Sequence, residues 1–350
     1  MAHLSRRDFA RSALLLPAMA PARLLAATAY GTVVNGQTFQ GARPPGGTGD
    51  LGGTAINAAS NTLVESCHFS NFGDGAVCLL DQAIDNFTMK DCDGDNLYCF
   101  INNLSWTDPS RNAPVTNFTF SRITGTNLER NMMRIGAASA HGLIEDVVGH
   151  GNGNCDDYCV GFQTANNAQD IAYKRCEAHD FAEARRSPSQ YWNGDGFSDE
   201  RTNRLIRYYG CLASGCTDGG FDTKSAGVYL ADCRSVGNKR NFRLWNTGSL
   251  IRCTSEEPVK LGGTGEAAHF SFFGGSGPVY IFDRPVVRAS ANNTAPVFLF
   301  MSTTRTSIGI YNADIDAPGA PLIKVIGPEP SVHWYPDRPQ QNIRVATLRA

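Results

Sequence analysis

Carboxylates and cations recur at matching places in the middle of this 350-residue chain. Asn193-Gly-Asp-Gly-Phe-Ser-Asp-Glu200 and Thr217-Asp-Gly-Gly-Phe-Asp-Thr-Lys224 share an Asp-Gly-(Gly)-Phe core, with Phe197 and Phe221 24 residues apart. Arg240-Asn-Phe-Arg-Leu-Trp245 and Pro258-Val-Lys-Leu-Gly-Gly263 follow, with cations in place of the acids. If the four segments stack as strands on Phe197, Phe221, Phe242 and Val259, alternation turns these residues inward and their neighbours outward. The outward row is then Ser198, Asp222, Arg243 and Lys260, preceded by Arg134 and Gln163 on earlier coils. Asp195 and Asp218 stand just before the strand, at the corner. Neighbouring strands lie about 4.8 Å apart, so side chains on successive coils can share one ligand.

Such a surface has definite chemistry. Asp195, Asp218 and Asp222 would converge, and Asp199 could add a fourth carboxylate if its strand ends early. Crowded carboxylates repel unless a hard cation sits among them, and Ca²⁺ takes oxygen ligands of this kind. Asp-Gly pairs are also ordinary turn residues, so each acid taken singly reads equally as a corner. A lysine close to other cations loses stability in its ammonium form and can act as a base. Lys260, Arg243 and Lys224 are the candidates. Arg243 keeps its proton and suits gripping a carboxylate, while Lys224 also reads as a solvated surface lysine.

The elements that would position these residues show as a repeat. Short β-like runs end at Cys67, Cys92, Ile123, Val147, Cys176, Cys211, Cys233 and Cys253, at intervals of 25, 31, 24, 29, 35, 22 and 20 residues. A period in the twenties with loop insertions means a solenoid. Each unit holds a second run, such as Leu97-Tyr-Cys-Phe-Ile101 or Cys159-Val-Gly-Phe-Gln163. The 36 glycines and many Asn and Asp residues supply corners. This predicts an all-β fold, a single-stranded right-handed parallel β-helix, whose inward residues stack in ladders along the axis. The odd count of 11 cysteines then becomes a buried ladder of small apolar side chains rather than a set of disulfides. After residue 264 the coils loosen and fill with bulkier apolar residues, and about the last 20 residues read as a cap or tail. Residues 30–350 form one expected domain.

Residues 1–29 read as a twin-arginine export signal: Ser5-Arg-Arg-Asp-Phe-Ala10, an apolar run near Ala13–Ala20, and a small-residue exit at Ala27-Thr-Ala29. Export to the periplasm or outside the cell is the expectation. Removing that segment takes away four arginines against one aspartate and moves the formal charge from −2 to about −5. A nucleic-acid binder held by bulk charge is excluded on that ground. No later apolar run is long enough to span a bilayer. A soluble monomer is expected.

At these residues the chain resembles the right-handed β-helix pectate lyases of family nine. The resemblance covers residues 190–265 and rests on Gly194-Asp-Gly-Phe197, Asp218-Gly-Gly-Phe-Asp222 and Val259-Lys-Leu-Gly-Gly263, in that order. It implies calcium ligation by Asp195, Asp218 and Asp222, with Lys260 as the base; the family lysine can also map one coil earlier, onto Arg243. Gly219 stands where the family has a second adjacent Asp, so one ligand is missing. The implied reaction is β-elimination on a 4-linked uronic acid in a pectate-like glycan. A cation on the sugar carboxylate would stabilise the carbanion as the base removes the neighbouring proton. Arg243 would clamp the carboxylate, Trp245, Trp192 and Tyr191 would stack on sugar rings, and Arg134 would add a substrate contact. Two other readings stay open: a β-helix glycoside hydrolase using two of Asp195, Asp199, Asp218 and Asp222, and a non-catalytic glycan-binding envelope protein.

Overall fold

Corners define this molecule as much as strands do. In the computed structural model, which describes residues 30–47 and 52–336, three corners of successive coils carry residues with positive φ. One such column runs Ser66, Asp91, Arg122, Asp146, Arg175, Gly210, Asp232, Arg252. Glycine, Asn and Asp enter this region most readily, which is why the chain is rich in them. Immediately after each of these residues comes one of the eight residues that define the repeat. Where that residue is cysteine, its thiol donates back across the corner to the carbonyl two residues earlier: Cys67 to Glu65 at 3.3 Å, Cys92 to Lys90 at 3.1 Å, Cys176 to Lys174 at 3.4 Å. Cys211, Cys233 and Cys253 repeat the bond. A small residue with a weak donor fits a turn that must be tight and buried. All 11 cysteines are free and buried.

Between corners the chain is extended. An 11-stranded sheet contributes one strand to each turn and a 21-stranded sheet contributes two panels, with neighbours paired in parallel throughout. The only helical element among the described residues is a short 3₁₀ turn, Pro109–Arg111. The protein is therefore a right-handed parallel β-helix of about eleven turns, as the period predicts. The looser runs after residue 264 are true coils: Val279–Asp283 and Ser307–Tyr311 join the larger sheet, Phe298–Phe300 and Ile323–Val325 the smaller one. Among the described residues no helix is long and apolar enough to cross a membrane. The expected export signal at residues 1–29 and the end of the expected cap, 337–350, lie outside the described residues.

Inside the coil, like stacks on like. Phe162, Phe197, Phe221, Phe242, Phe270 and Phe298 form one column with ring centroids 4.8, 4.9, 5.3, 5.1 and 5.5 Å apart. Each ring is almost wholly buried, and offset stacking at this spacing adds to the area term. The column corrects one rung of the sequence alignment: after Phe242 comes Phe270, not Val259. Val259 is 44% exposed and belongs to a loop. A thiol titration of the unreduced protein tests the ladder. We expect no reaction under native conditions and eleven thiols after denaturation; a smaller number would reveal disulfides that this packing does not contain.

Candidate functional site

The strands Asp195–Asp199, Gly219–Thr223 and Arg240–Leu244 are consecutive rungs of the 11-stranded sheet. Their outer face carries three columns. The first runs Asp195, Gly219, Arg240; the second Ser198, Asp222, Arg243; the third Glu200, Lys224, Trp245. The second continues back to Gln163 and Arg134 and forward to Ser271. Thus the expected outward row holds for Arg134, Gln163, Ser198, Asp222 and Arg243, and ends there. Gly196 and Gly220 are pressed toward the interior, where an added Cβ would meet the Ala213 methyl and the Ser235 hydroxyl within 2.8 Å. Two inward residues in a row at this point bring Asp195 back to the outer face.

The three aspartates do converge, but they converge on cations. Asp218 is fully buried and meets Arg243 at 2.7 Å, Arg240 at 3.1 Å and Lys239 at 3.5 Å, and accepts from the Tyr191 hydroxyl at 2.5 Å. Asp222 accepts from Lys224 at 2.8 Å and from the Trp245 indole at 2.7 Å, with Arg243 at 3.5 Å. Against the penalty of burial, Lys224 and Arg243 hold the Asp222 carboxyl below its ordinary range. Asp195 differs. Its Oδ1 accepts only the Gly219 amide, at 2.7 Å, and burial together with the Asp222 and Asp218 charges pushes its carboxyl well above the ordinary range. One acid of the group is shifted up and its neighbour down.

Gly219 is what makes the group possible. A Cβ there would lie 2.9 Å from Asp195 Oδ1 and 3.0 Å from the Asp222 Cβ, so the second aspartate of the pectate lyase pattern has no room. Both oxygens of Asp218 and of Asp222 are already engaged by cations or donors, and no group of three His, Cys, Asp or Glu side chains among the described residues is arranged to hold a metal. The residues present do not fit a calcium ion. Asp199, the fourth expected ligand, faces inward because its strand continues. It accepts the Lys224 and Ser225 amides at 2.9 and 2.6 Å and the Tyr208 hydroxyl at 3.2 Å. Burial lifts it to about 6.

The expected bases fare differently again. Lys224 is fixed between Asp222 and Glu200, at 2.8 and 2.9 Å. Although burial works the other way, those carboxylates hold its ammonium charged, and Asp222 and Asp218 do the same for Arg243. Neither is a base. Lys260 is exposed, on a loop outside the three columns. Val259 lies 17 residues after Phe242, short of a full turn, whereas His269-Phe-Ser-Phe272 lies at the proper interval and forms the next rung. That spacing was the available signal.

Of the expected sugar platforms, Tyr191 binds Asp218 and Arg240 and lies 3.8 Å under the Lys239 ammonium. Trp245 stacks on Phe273 at 4.8 Å and is tied to Asp222. Trp192 lies off the columns, where its ring packs on Gly262 and Gly263 and lines a separate 540 Å³ hollow with Thr217 and Leu261. Arg134 rests 3.2 Å over the Trp106 ring and donates to Gln163 at 3.0 Å. Sequence reasoning did not single out Lys239 and Arg240, which together anchor Asp218. Their mark was the Lys-Arg pair at the same offset from Phe242 that Asp218-Gly219 has from Phe221. Restoring the missing acid tests the crowding: Gly219→Asp should lower stability by about 1–3 kcal/mol, as overpacking does. Calcium added to that variant or to the native protein should leave the melting temperature unchanged, and a rise on adding calcium would overturn the fit argued above.

Comparison with known proteins gives the fold a second support. No protein-family profile and no curated protein matches the chain. Among solved structures it is similar to the A-module of the mannuronan C-5 epimerase AlgE4 of Azotobacter vinelandii, with a TM-score of 0.54 and 14% identity over 87% of this chain and 91% of that one. The AlgE6 A-module of the same organism gives 0.49 and 14% over 88% and 92%. The pectate lyase Pel9A gives 0.43 and 12% over 84% and 79%. At these identities the likeness is one of fold. The AlgE4 module supports the parallel β-helix, and the resemblance to family nine pectate lyases rests on residues 190–265 alone.

Proposed function

We propose that this protein is an enzyme that cleaves a uronic-acid-containing polysaccharide at the outer face of the smaller sheet, with Asp195 as general acid and Asp222 as its ionised partner. The observation that carries this reading is the split of two adjacent carboxyls. Burial and its acidic neighbours push the Asp195 carboxyl up, whereas Lys224, Arg243 and Trp245 hold the Asp222 carboxyl down. Environments that push two neighbouring acids apart divide the work of proton donor and anion between them. Glycoside hydrolysis needs that division: one carboxylic acid protonates the leaving oxygen while a carboxylate stabilises or activates on the other side.

The epimerase and pectate lyase similar in fold are named for carbohydrate chemistry, which agrees with a glycan substrate. The cations support an acidic one. Four cations, Lys224, Lys239, Arg240 and Arg243, face the three carboxylates of Asp218, Asp222 and Glu200, with the neutral form of Asp195 favoured. The surplus favours a substrate carboxylate.

The same surplus supports a second reading, β-elimination, in which Arg243 and its neighbours stabilise the carbanion at the sugar carboxylate. In that case the base would be Asp222, because Lys224 is held charged and Lys260 lies off the columns. Export and a monomeric state remain part of the proposal.

The two reactions separate in one assay on uronate polymers. Hydrolysis raises reducing ends with flat ultraviolet absorbance, and elimination raises both. Asp195→Asn should lower kcat by about 10²–10⁴-fold, the usual contribution of a positioned acid. The rate of the native protein should fall as pH rises through the lifted Asp195 value, because the donor is lost. It should also fall as pH drops through the depressed Asp222 value, because the anion is lost. Wild-type turnover in Asp195→Asn would remove Asp195 from the chemistry.

A further inference from the structure

Beside the Arg240–Tyr191 end of the aspartate face lies a hollow of about 760 Å³. Its near end is Gly265, where a Cβ would lie 3.2 Å from an Arg240 guanidinium nitrogen and 3.2 Å from the Tyr191 ring. Its far end is Lys324, on the last rung of the smaller sheet. Arg243, Ser271, Leu299 and Lys324 follow one another along the second column. Three steps of about 4.8 Å separate the first from the last. Ser271 and Leu299 are fully buried, so the hollow lies beside this column and reaches from Gly265, next to Arg240 and Tyr191, to Lys324.

Its polar lining groups are largely committed. Glu266 binds Lys324 through both oxygens at 2.8 Å. Glu257 accepts from the Ser290 amide at 2.5 Å and from Asn293 at 2.9 Å. Lys260, the one cation of this group without an ion pair to a described residue, stands exposed at the rim beside exposed Val259. A loop that presents one unpaired ammonium and the Val259 side chain over a hollow next to Arg240 and Tyr191 is shaped to hold a chain and not to transfer a proton.

We propose that this groove binds the sugar units beyond the cleaved bond, and that Lys260 there grips an anionic group of the chain. The inference rests on the reading of the Asp195–Asp222 face as the reaction centre. It assigns Lys260, whose motif suggested a base, to chain binding at a distance from the chemistry. The Glu257 and Glu266 carboxylates leave no excess of positive charge in the groove. Lys260 therefore selects one anionic substituent.

The test uses oligogalacturonides and oligomannuronides of increasing length, with neutral galactan oligomers as a second arm. Lys260→Ala should raise KM on the long uronate oligomers about three- to fivefold, the size an exposed ion pair carries. The effect should shrink on the shortest oligomers and on galactan. The loss should appear in KM rather than kcat, and Lys260→Arg should restore it. An equal loss of kcat at every length would make Lys260 part of the chemistry and overturn the proposal; so would an unchanged KM at every length.

Affinity of the same oligomers for the Asp195→Asn protein, measured by calorimetry with and without Lys260→Ala, reads the groove independently of turnover. Length-dependent binding that weakens on loss of Lys260 supports the groove even if the acid proves to be another residue. Binding that is indifferent to both length and Lys260 overturns it even if Asp195 is the acid.

Discussion

Everything in this molecule follows from stacking parallel strands about 4.8 Å apart with their side chains in register. Each residue must tolerate its counterpart on the coil above and the coil below. Inside, that requirement selects flat rings and small thiols, because phenyl groups stack and cysteine fits a left-handed corner without a bulky branch. Outside, it forbids a bare row of like charges. Asp222 follows Ser198 and is followed by Arg243, and at the corner column Asp91 meets Arg122 and Asp146 meets Arg175. The exposed corner pairs add little stability. The buried ones on the other face decide which carboxyl carries a proton.

The site is an instance of that rule with one member left over. Asp218 and Asp222 each have cations within hydrogen-bonding distance, and Asp195 has an amide. A buried charge without a partner is costly, so the acid without a cation is the one whose neutral form is favoured. Gly219 allows this by bringing Asp195 and Asp222 against the same point in space. A larger residue would separate them and end their mutual influence.

Much of the fold was legible in the sequence because a solenoid writes itself as a period. The eight corner residues from Cys67 to Cys253 and the Phe197–Phe221–Phe242 column all stand where spacing put them. The outward row was legible for the same reason as far as Arg243. It failed at Lys260 because a short apolar run flanked by Pro258 and Gly262 imitates a strand, and only the 17-residue interval betrays it. Asp199 failed on phase: one further residue of strand turns a side chain from solvent to core. The engagement of the aspartates by Lys239 and Arg240 was not legible, since the corner preceding a strand has no alternation to announce which way its side chains point.

The groove and the acid pair occupy different places along a one-dimensional object. Asp195–Asp199 is the sixth strand of eleven and wholly buried, whereas Ile323–Val325, which carries Lys324, is the last and only half-buried. Stacked repeats open from their ends inward. Fraying at the carboxyl-terminal end therefore loosens the Lys324 wall of the hollow while the aspartates stay packed between intact coils; under the proposed function, a partly opened molecule would lose its hold on long chains before its chemistry.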